Sequence, residues 1–313
     1  MLMKKYKIIV NPAAGGGSGA RTIPQIERLL AKNSLDFDIV CTKRPWHAAE
    51  FAKEAVSAEY DVIVAMGGDG TANEVINGLM EAKQTGKHSF AMGVLSVGRG
   101  NDFAHGVGVP HDLEHACQVL VEDHRRMIDV GRVVGGMYPQ GRYFGNCVGV
   151  GFDAIGTIEA AKLPRLGGFL SYFMAVLKTI FLYYKAPLTT IEYDGQTLTQ
   201  PSLLISIMNG RRLGGGFMMA PDAEPDDGLF DLCIAHEVSR TRIFSLIPHF
   251  LRGTQATQEP ITTGRAAHIS ITAVEGTLPA QTDGEILCID GQHLEIELLS
   301  RQLEVICQSP GGV

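Results

Sequence analysis

In Gly67-Gly68-Asp69-Gly70-Thr71, one carboxylate sits among three glycines with a hydroxyl directly after them. Glycines let backbone come close to a polyphosphate, and the acid can organise Mg²⁺ or orient phosphate oxygens. A helix cap by Asp or Thr accounts for many strand-to-helix turns, but not for glycines on both sides of one acid. Upstream, Asn11-Pro12-Ala13-Ala14-Gly15-Gly16-Gly17-Ser18-Gly19 forms a second loop whose N–H groups could cradle phosphate. It matches neither the dinucleotide fingerprint nor the P-loop, because no Lys-Ser/Thr follows, and a flexible turn stays open as its reading. Gly98-Arg99-Gly100-Asn101-Asp102-Phe103-Ala104 adds guanidinium, amide and carboxylate groups. Asp102 reads equally as a helix cap with Phe103 as core filling.

Two acidic groups lie further on. Pro221-Asp222-Ala223-Glu224-Pro225-Asp226-Asp227-Gly228-Leu229 carries four carboxylates within six residues. Hard oxygen ligands at this spacing suit Mg²⁺ or Ca²⁺, although the cluster taken alone is better read as an acidic surface turn. Thr282-Asp283-Gly284-Glu285 places two carboxylates around a glycine, enough for a general base and an electrostatic partner, or for a plain β-turn.

These segments need elements to hold them. Tyr6–Val10, Phe37–Cys41, Val62–Met66 and Met92–Leu95 are short β-branched apolar runs, with helical stretches near Arg21–Lys32, His47–Ala58 and Ala72–Ala82 between them. Such alternation predicts a parallel sheet covered on both faces, with ligand beyond the carboxyl ends of the strands. Asn11–Ala14, Thr42, Gly67–Thr71 and Ser96–Asp102 follow the four runs in turn and would face one crevice. From about Ile128 the texture becomes β-rich. Arg142–Val150, Leu188–Tyr193, Leu203–Met208, Leu229–Ala235, His268–Val274 and Gln292–Leu299 read as strands. Asp194-Gly195 and Asp290-Gly291 read as hairpin turns, with helices only at Gly167–Tyr184 and Ser239–Leu251. A sandwich is expected there.

The chain has 313 residues, 45% of them hydrophobic, which is enough for a buried core in two domains and excludes disorder as its main state. A net charge of −7 gives no global attraction to nucleic acid, so an anionic partner needs a local site. Six scattered cysteines without metal-like spacing read as reduced thiols. The apolar run after Lys4-Lys5 is too short for a signal peptide, and a cytoplasmic protein is expected. Leu166–Tyr184 is nearly continuously apolar, but Lys178 interrupts it and Lys162, Arg165 and Lys185 flank it. A core helix fits best, an interfacial helix next and a membrane-spanning one least. Neither composition nor motif fixes the oligomeric state, which leaves a homodimer open.

The ordered set Asn11-Pro-Ala-Ala-Gly, Gly67-Gly-Asp-Gly-Thr, Asn101-Asp-Phe-Ala, Gly151-Phe-Asp153-Ala, Asp226-Asp-Gly and Asp283-Gly-Glu resembles bacterial diacylglycerol kinase-like lipid kinases. Sphingosine and ceramide kinases share that catalytic domain, and the resemblance runs from about residue 5 to 308. The Gly-Gly-Asp-Gly-Thr segment alone is common to NAD kinases and phosphofructokinases. The resemblance implies an α/β protein with two domains and an active site between them. One is an N-terminal parallel α/β nucleotide domain over 1–130, joined by a returning strand at 301–308. The other is a C-terminal β-sandwich for lipid over 131–300. It implies ATP contacts from Asn11, Pro12, Ala13, Ala14, Gly15, Gly16, Gly17, Thr42, Gly67, Gly68, Asp69, Gly70, Thr71, Asn73 and Asn101. Asp69 and Asp102 would help hold the catalytic Mg²⁺. A structural Mg²⁺ would rest on Glu224, Asp227 and the Leu229 carbonyl. The base would be Asp283 or Glu285. Arg99 stands where relatives often carry Thr; it would pair with ATP phosphates or else point to solvent, and the phosphate role is preferred. The implied reaction phosphorylates a lipid hydroxyl at the membrane surface. Phe152, Phe169, Leu170, Phe173 and Met174 are candidates for lipid lining or simple core. Lys162, Arg165, Lys178 and Lys185 would meet anionic headgroups at about 1 kcal/mol each. An NAD kinase and a non-catalytic nucleotide or lipid sensor are the alternatives.

Overall fold

The computed structural model describes residues 4–84, 89–162, 168–182 and 186–309. Arg165, Lys185 and both ends of the apolar stretch expected as a helix lie outside the described residues. The chain divides into two compact units, Met1–Ile128 with Arg301–Val313, and Asp129–Ser300.

In the first unit the elements run β1 (Lys5–Val10), α1 (Ala14–Lys32), β2 (Asp36–Cys41), α2 (His47–Ser57), β3 (Val62–Gly67), α3 (Asp69–Lys83), β4 (Ala91–Ser96), α4 (Asp102–Gly106) and α5 (Leu113–Glu122). All strand pairs are parallel, in the order β2-β1-β3-β4. Every residue of β3 and β4 is buried, as strands covered on both faces require. Burying each Val, Ile or Leu there contributes roughly 1.5–3 kcal/mol. The short α4 and the helix α5, which Asp112 caps by accepting the His115 N–H, were not anticipated.

β5 (Arg125–Gly135) leads into the second unit: β6 (Tyr138–Phe144), β7 (Cys147–Gly151), α6 (Phe152–Lys162), α7 (Gly168–Leu182), β8 (Leu188–Tyr193), β9 (Gln196–Met208), β10 (Phe230–His236), α8 (Arg240–Arg252), β11 (Ile261–Ala266), β12 (His268–Glu275), β13 (Leu278–Thr282), β14 (Glu285–Gly291) and β15 (His293–Ile306). One antiparallel layer runs β14-β13-β7-β9-β10-β11 and the other β6-β5-β15-β12-β8-β9. The long β9 serves both, its Gln196–Pro201 half pairing β8 and its Leu204–Met208 half pairing β7 and β10. Val148, Ile205, Phe230, Ile269 and Leu294 belong to one apolar core. The end of β15 pairs β4 in parallel, Val305 beside Met92, and completes the sheet of the first unit.

Several local expectations need correction. The run expected as one strand, Arg142–Val150, breaks between β6 and β7, because the Gly145, Asn146 and Cys147 amides turn onto the Asp283 carboxylate. A third helix, α6, follows β7; its apolar residues form no single stripe, so periodicity missed it. Asp194-Gly195 does turn β8 into β9, with both φ angles positive as a type I′ turn demands. Asp290-Gly291 instead ends β14 opposite Leu278, and the hairpin turn of β13–β14 is Asp283-Gly284, with φ of 46° and 84°. The helix α7 buries Ala175, Val176, Thr179 and Ile180 but exposes Phe169, Leu170, Met174 and Phe181, so it is half core and half surface. Among the described residues, no helix is long and apolar enough to cross a membrane.

Candidate functional site

The first unit gathers its chemistry at the carboxyl ends of β1, β3 and β4. Asn11 ends β1, and its Oδ1 accepts the Ala13 N–H while its Nδ2 donates to Thr71 Oγ1 at 3.1 Å. This ties the first glycine loop to the second. Gly15, Gly16 and Gly17 all have φ between 56° and 92°, which breaks the first turn of α1. Such left-handed backbone favours glycine at all three positions, and the Gly17 N–H donates to the Ala13 carbonyl at 3.2 Å. Pro12, Ala13 and Ala14 connect β1 to this loop. The Thr42 amide donates to the Val10 carbonyl just after β2.

The β3 and β4 loops touch backbone to backbone: a Cβ on Gly98 would lie 2.3 Å from the Gly68 Cα. Asp69 Oδ1 accepts the Phe103 N–H at 3.0 Å, so the acid of one loop fixes the start of the helix in the next. A Cβ on Gly100 would stand 2.9 Å from Asp69 Oδ2 and 3.0 Å from Asp102 Oδ2. The two carboxylates therefore converge on one small space. Asn101 is left-handed, φ 53°, and donates to the Gly98 carbonyl. Arg99 is exposed, and its guanidinium makes no hydrogen bond or ion pair among the described residues. Asn73 is wholly buried on α3, where its carbonyl and side-chain oxygens accept from Asn77 Nδ2.

In the second unit the Asp283-Gly284-Glu285 turn carries the expected carboxylates. Asp283 is 4% exposed and accepts three amide N–H groups: Gly145 at 2.9 Å, Asn146 at 3.0 Å and Cys147 at 2.9 Å. Glu285 is solvent-exposed on the same turn. Gln281 was not anticipated. Its Oε1 accepts the Gly284 N–H at 2.9 Å, and its Nε2 donates to Asp153 Oδ2 at 3.0 Å. A buried Gln in the otherwise small and apolar strand Leu-Pro-Ala-Gln-Thr was the only sequence signal for it.

Asp153 itself is buried and also accepts the Tyr172 hydroxyl at 2.8 Å. Burial pushes its carboxyl up from 3.8 to about 6, against the opposing pull of the Tyr172 and Gln281 hydrogen bonds. A raised folded-state value means the group favours the fold most below pH 3.8 and loses that contribution as pH rises through about 6. The loss is about 3 kcal/mol. Asp153→Asn keeps the shape and removes the charge, so its stability relative to the parent chain should rise by about 3 kcal/mol between about pH 4 and pH 7. Urea unfolding of both chains across that range checks this, and a flat difference would refute it.

In the acidic segment, Glu224 pairs with Arg211 and Asp227 with Arg265, while Asp227 Oδ1 accepts the Leu229 N–H. Among the described residues, no three His, Cys, Asp or Glu side chains converge to hold a metal. Asp129 instead organises this loop, its carboxylate accepting the Gly228 N–H at 2.7 Å. The basic residues Lys162 and Lys178 both pair with Glu159 on α6.

Residues 5–133 match the family model described as "Diacylglycerol kinase catalytic domain". Residues 146–307 match "YegS C-terminal NAD kinase beta sandwich-like domain". The chain is 30% identical to a diacylglycerol kinase of Bacillus subtilis over 287 residues, which is 90% of each chain. It is 27% identical to one of Staphylococcus saprophyticus over 303 residues, 94% of this chain and 95% of that one. A crystal structure of a diacylglycerol kinase from Bacillus anthracis superposes with a TM-score of 0.74 at 25% identity over 98% of both chains. Yeast NADH kinase shares only the fold, with a TM-score of 0.55 at 9% identity over 98% of this chain and 84% of that one. Full-length similarity of this kind, on two domain models in the order the motifs require, means that the chain belongs to the bacterial diacylglycerol kinase family and is an ATP-dependent lipid kinase.

Proposed function

We propose that this chain transfers the γ-phosphoryl group of Mg-ATP to the hydroxyl of diacylglycerol or a related lipid at a membrane surface. The observation that carries the reading is the convergence of Asp69 and Asp102 at Gly100, beside a left-handed glycine loop. Two carboxylates on one space suit the Mg²⁺ that arrives with ATP, and the Gly15 and Gly16 amides at the start of α1 suit its phosphates. Arg99, exposed next to this pair, would add a guanidinium to the phosphates. Phosphoryl transfer asks the protein mainly for in-line positioning and charge neutralisation.

On the acceptor side, Glu285 is the better placed of the two turn carboxylates to take the lipid hydroxyl proton. Asp283 uses three of its roughly four acceptor positions on backbone amides and so positions the turn. Contact with lipid is supported by the exposed rings of Phe181 on α7 and Phe244 on α8, 6.2 Å apart, with Arg240 stacked over Phe181. An aromatic face with an attendant cation suits an anionic bilayer interface.

Purified chain with γ-labelled ATP and Mg²⁺, offered diacylglycerol in anionic vesicles or NAD in solution, tests the reading. Label should enter a chloroform-soluble product, and replacing Phe181 and Phe244 together by serine should lower that rate several-fold on vesicles. Label appearing only in a dinucleotide, or in no product, would overturn the assignment.

A further inference from the structure

One cation stands over the first glycine loop with no anion beside it. Long side chains on a helix lean toward its N-terminus, and Arg21 on α1 leans back across the preceding turn. Its Nη1 donates to the Gly16 carbonyl at 3.3 Å and its Nη2 to Ser18 Oγ at 2.9 Å. Ser18 in turn donates to the Gly15 carbonyl at 3.1 Å. A Cβ on Gly17 would lie 3.1 Å from Nη1, so the loop is bare where the guanidinium rests.

Both acceptors are neutral. Among the described residues Arg21 makes no ion pair, whereas Arg44 and Arg125 of the same unit are matched with Glu50 and with Asp123 and Glu304. A guanidinium has more N–H donors than these bonds use, and Arg21 is exposed, so an incoming ligand can reach them. The loop beneath it adjoins the converging carboxylates. A Cβ on Gly15 would lie 2.2 Å from the Val97 carbonyl oxygen, so Gly15 abuts the β4 loop. That loop runs on to Gly100, where Asp69 and Asp102 meet.

We propose that Arg21 binds the triphosphate of ATP, exchanging its bonds to Gly16 and Ser18 for bonds to phosphate oxygens. A P-loop takes this charge from a Lys beside its last glycine. Here the sequence has none, and the cation comes from α1, two residues beyond Gly19. The exchange is favourable because charge-assisted bonds are roughly twice as strong as neutral ones, and the guanidinium fork takes two phosphate oxygens at once. An anionic lipid headgroup offers the same oxygens. ATP is the partner the geometry favours, since two hydrogen bonds hold Arg21 down on the glycine loop beside the β4 loop. The inference rests on the ATP-binding half of the lipid kinase reading and adds to it a phosphate ligand that no motif marks.

Calorimetric titration of Mg-ATP and of Mg-tripolyphosphate into the full chain, Arg21→Gln, Arg21→Lys and Arg28→Gln tests this without lipid. Arg21→Gln should weaken both ligands by the same factor, at least about tenfold. Arg21→Lys keeps the charge without the fork and should weaken them less. Arg28, also exposed on α1 but bonded to the Pro24 carbonyl, is the control for net charge, and its replacement should change neither affinity. Melting temperatures should stay with the parent, because both arginines are exposed. In the kinase assay, Arg21→Gln should raise the KM for ATP equally with diacylglycerol in anionic vesicles and in neutral detergent micelles. A defect confined to anionic vesicles, with Mg-ATP affinity intact, would give Arg21 to headgroups and overturn the inference. So would equal losses in Arg28→Gln, or a parent-like Mg-ATP affinity in Arg21→Gln. A parent chain that binds no Mg-ATP would overturn the reading beneath it as well.

Discussion

Gly98→Ala should weaken ATP binding by at least about a hundredfold, because a misplacement of about 1 Å at a site of this kind costs that much. The added Cβ would lie 2.3 Å from the Gly68 Cα and 3.0 Å from its amide nitrogen. Both are backbone atoms, so no rotamer change relieves the clash and one loop must move. Moving the Gly68 loop carries Asp69 with it, and with Asp69 goes the hydrogen bond to the Phe103 N–H. Stability should fall by about 1–3 kcal/mol, the ordinary cost of overpacking. Gly156→Ala is the control. There the new methyl would meet nothing closer than the Tyr172 hydroxyl oxygen at 3.7 Å, and ATP affinity should be unchanged. Calorimetric titration with Mg-ATP reads both, and an unaltered affinity in Gly98→Ala would remove the β3 and β4 loops from the nucleotide site.

Glu285→Gln and Asp283→Asn should both depress turnover, but with different accompaniments. Loss of a proton acceptor costs roughly 10²–10⁴ in kcat. Glu285 is exposed, so its amide replacement should leave the melting temperature and ATP affinity where they were. Asp283→Asn sets an NH₂ against at least one of the three amide N–H groups that the carboxylate now accepts. A buried donor left unsatisfied costs about 1–3 kcal/mol, so this variant should lose both rate and stability. Single-turnover assays with a thermal melt on each variant separate the cases. A fully active Glu285→Gln beside a folded but inactive Asp283→Asn would exchange the two roles.

Much of this was legible in the residues. The parallel sheet showed in runs such as Val62–Met66, because strands buried on both faces need no polar positions, and apolar β-branched runs have few other uses. The three strand-end glycine loops showed for the same reason in reverse: where backbone approaches backbone, as at Gly68 and Gly98, only glycine is tolerated. The glycines at 214–216 had no reading. Gly214 and Gly216 make room for the rings of Tyr172 and Phe169, a contact with α7 that no local pattern announces. Asp283 and Glu285 were visible as a pair but not as different kinds of carboxylate. The difference comes from Gly145–Cys147, more than a hundred residues away, whose amides are turned onto Asp283. The pairing of Glu224 with Arg211 and of Asp227 with Arg265 was not legible either, since tertiary structure alone brings those arginines to the acids. Gln281 was missed because a single buried amide in a strand gives no periodic signal.

The strand that completes the first unit's sheet is made last. β4 ends at Ser96, and the segment that pairs it, around Val305, leaves the ribosome about two hundred residues later. At roughly 5–20 residues per second, that interval is roughly 10–40 s. For that time β4 is an edge, apolar and unpaired, of the kind that recruits other chains. The newborn first unit thus passes through a vulnerable stage whose length is set by the synthesis of the second. A stalled ribosome, or a stop codon placed just after Ser300, should therefore yield aggregation-prone protein even though every residue of the phosphate loops has already been made.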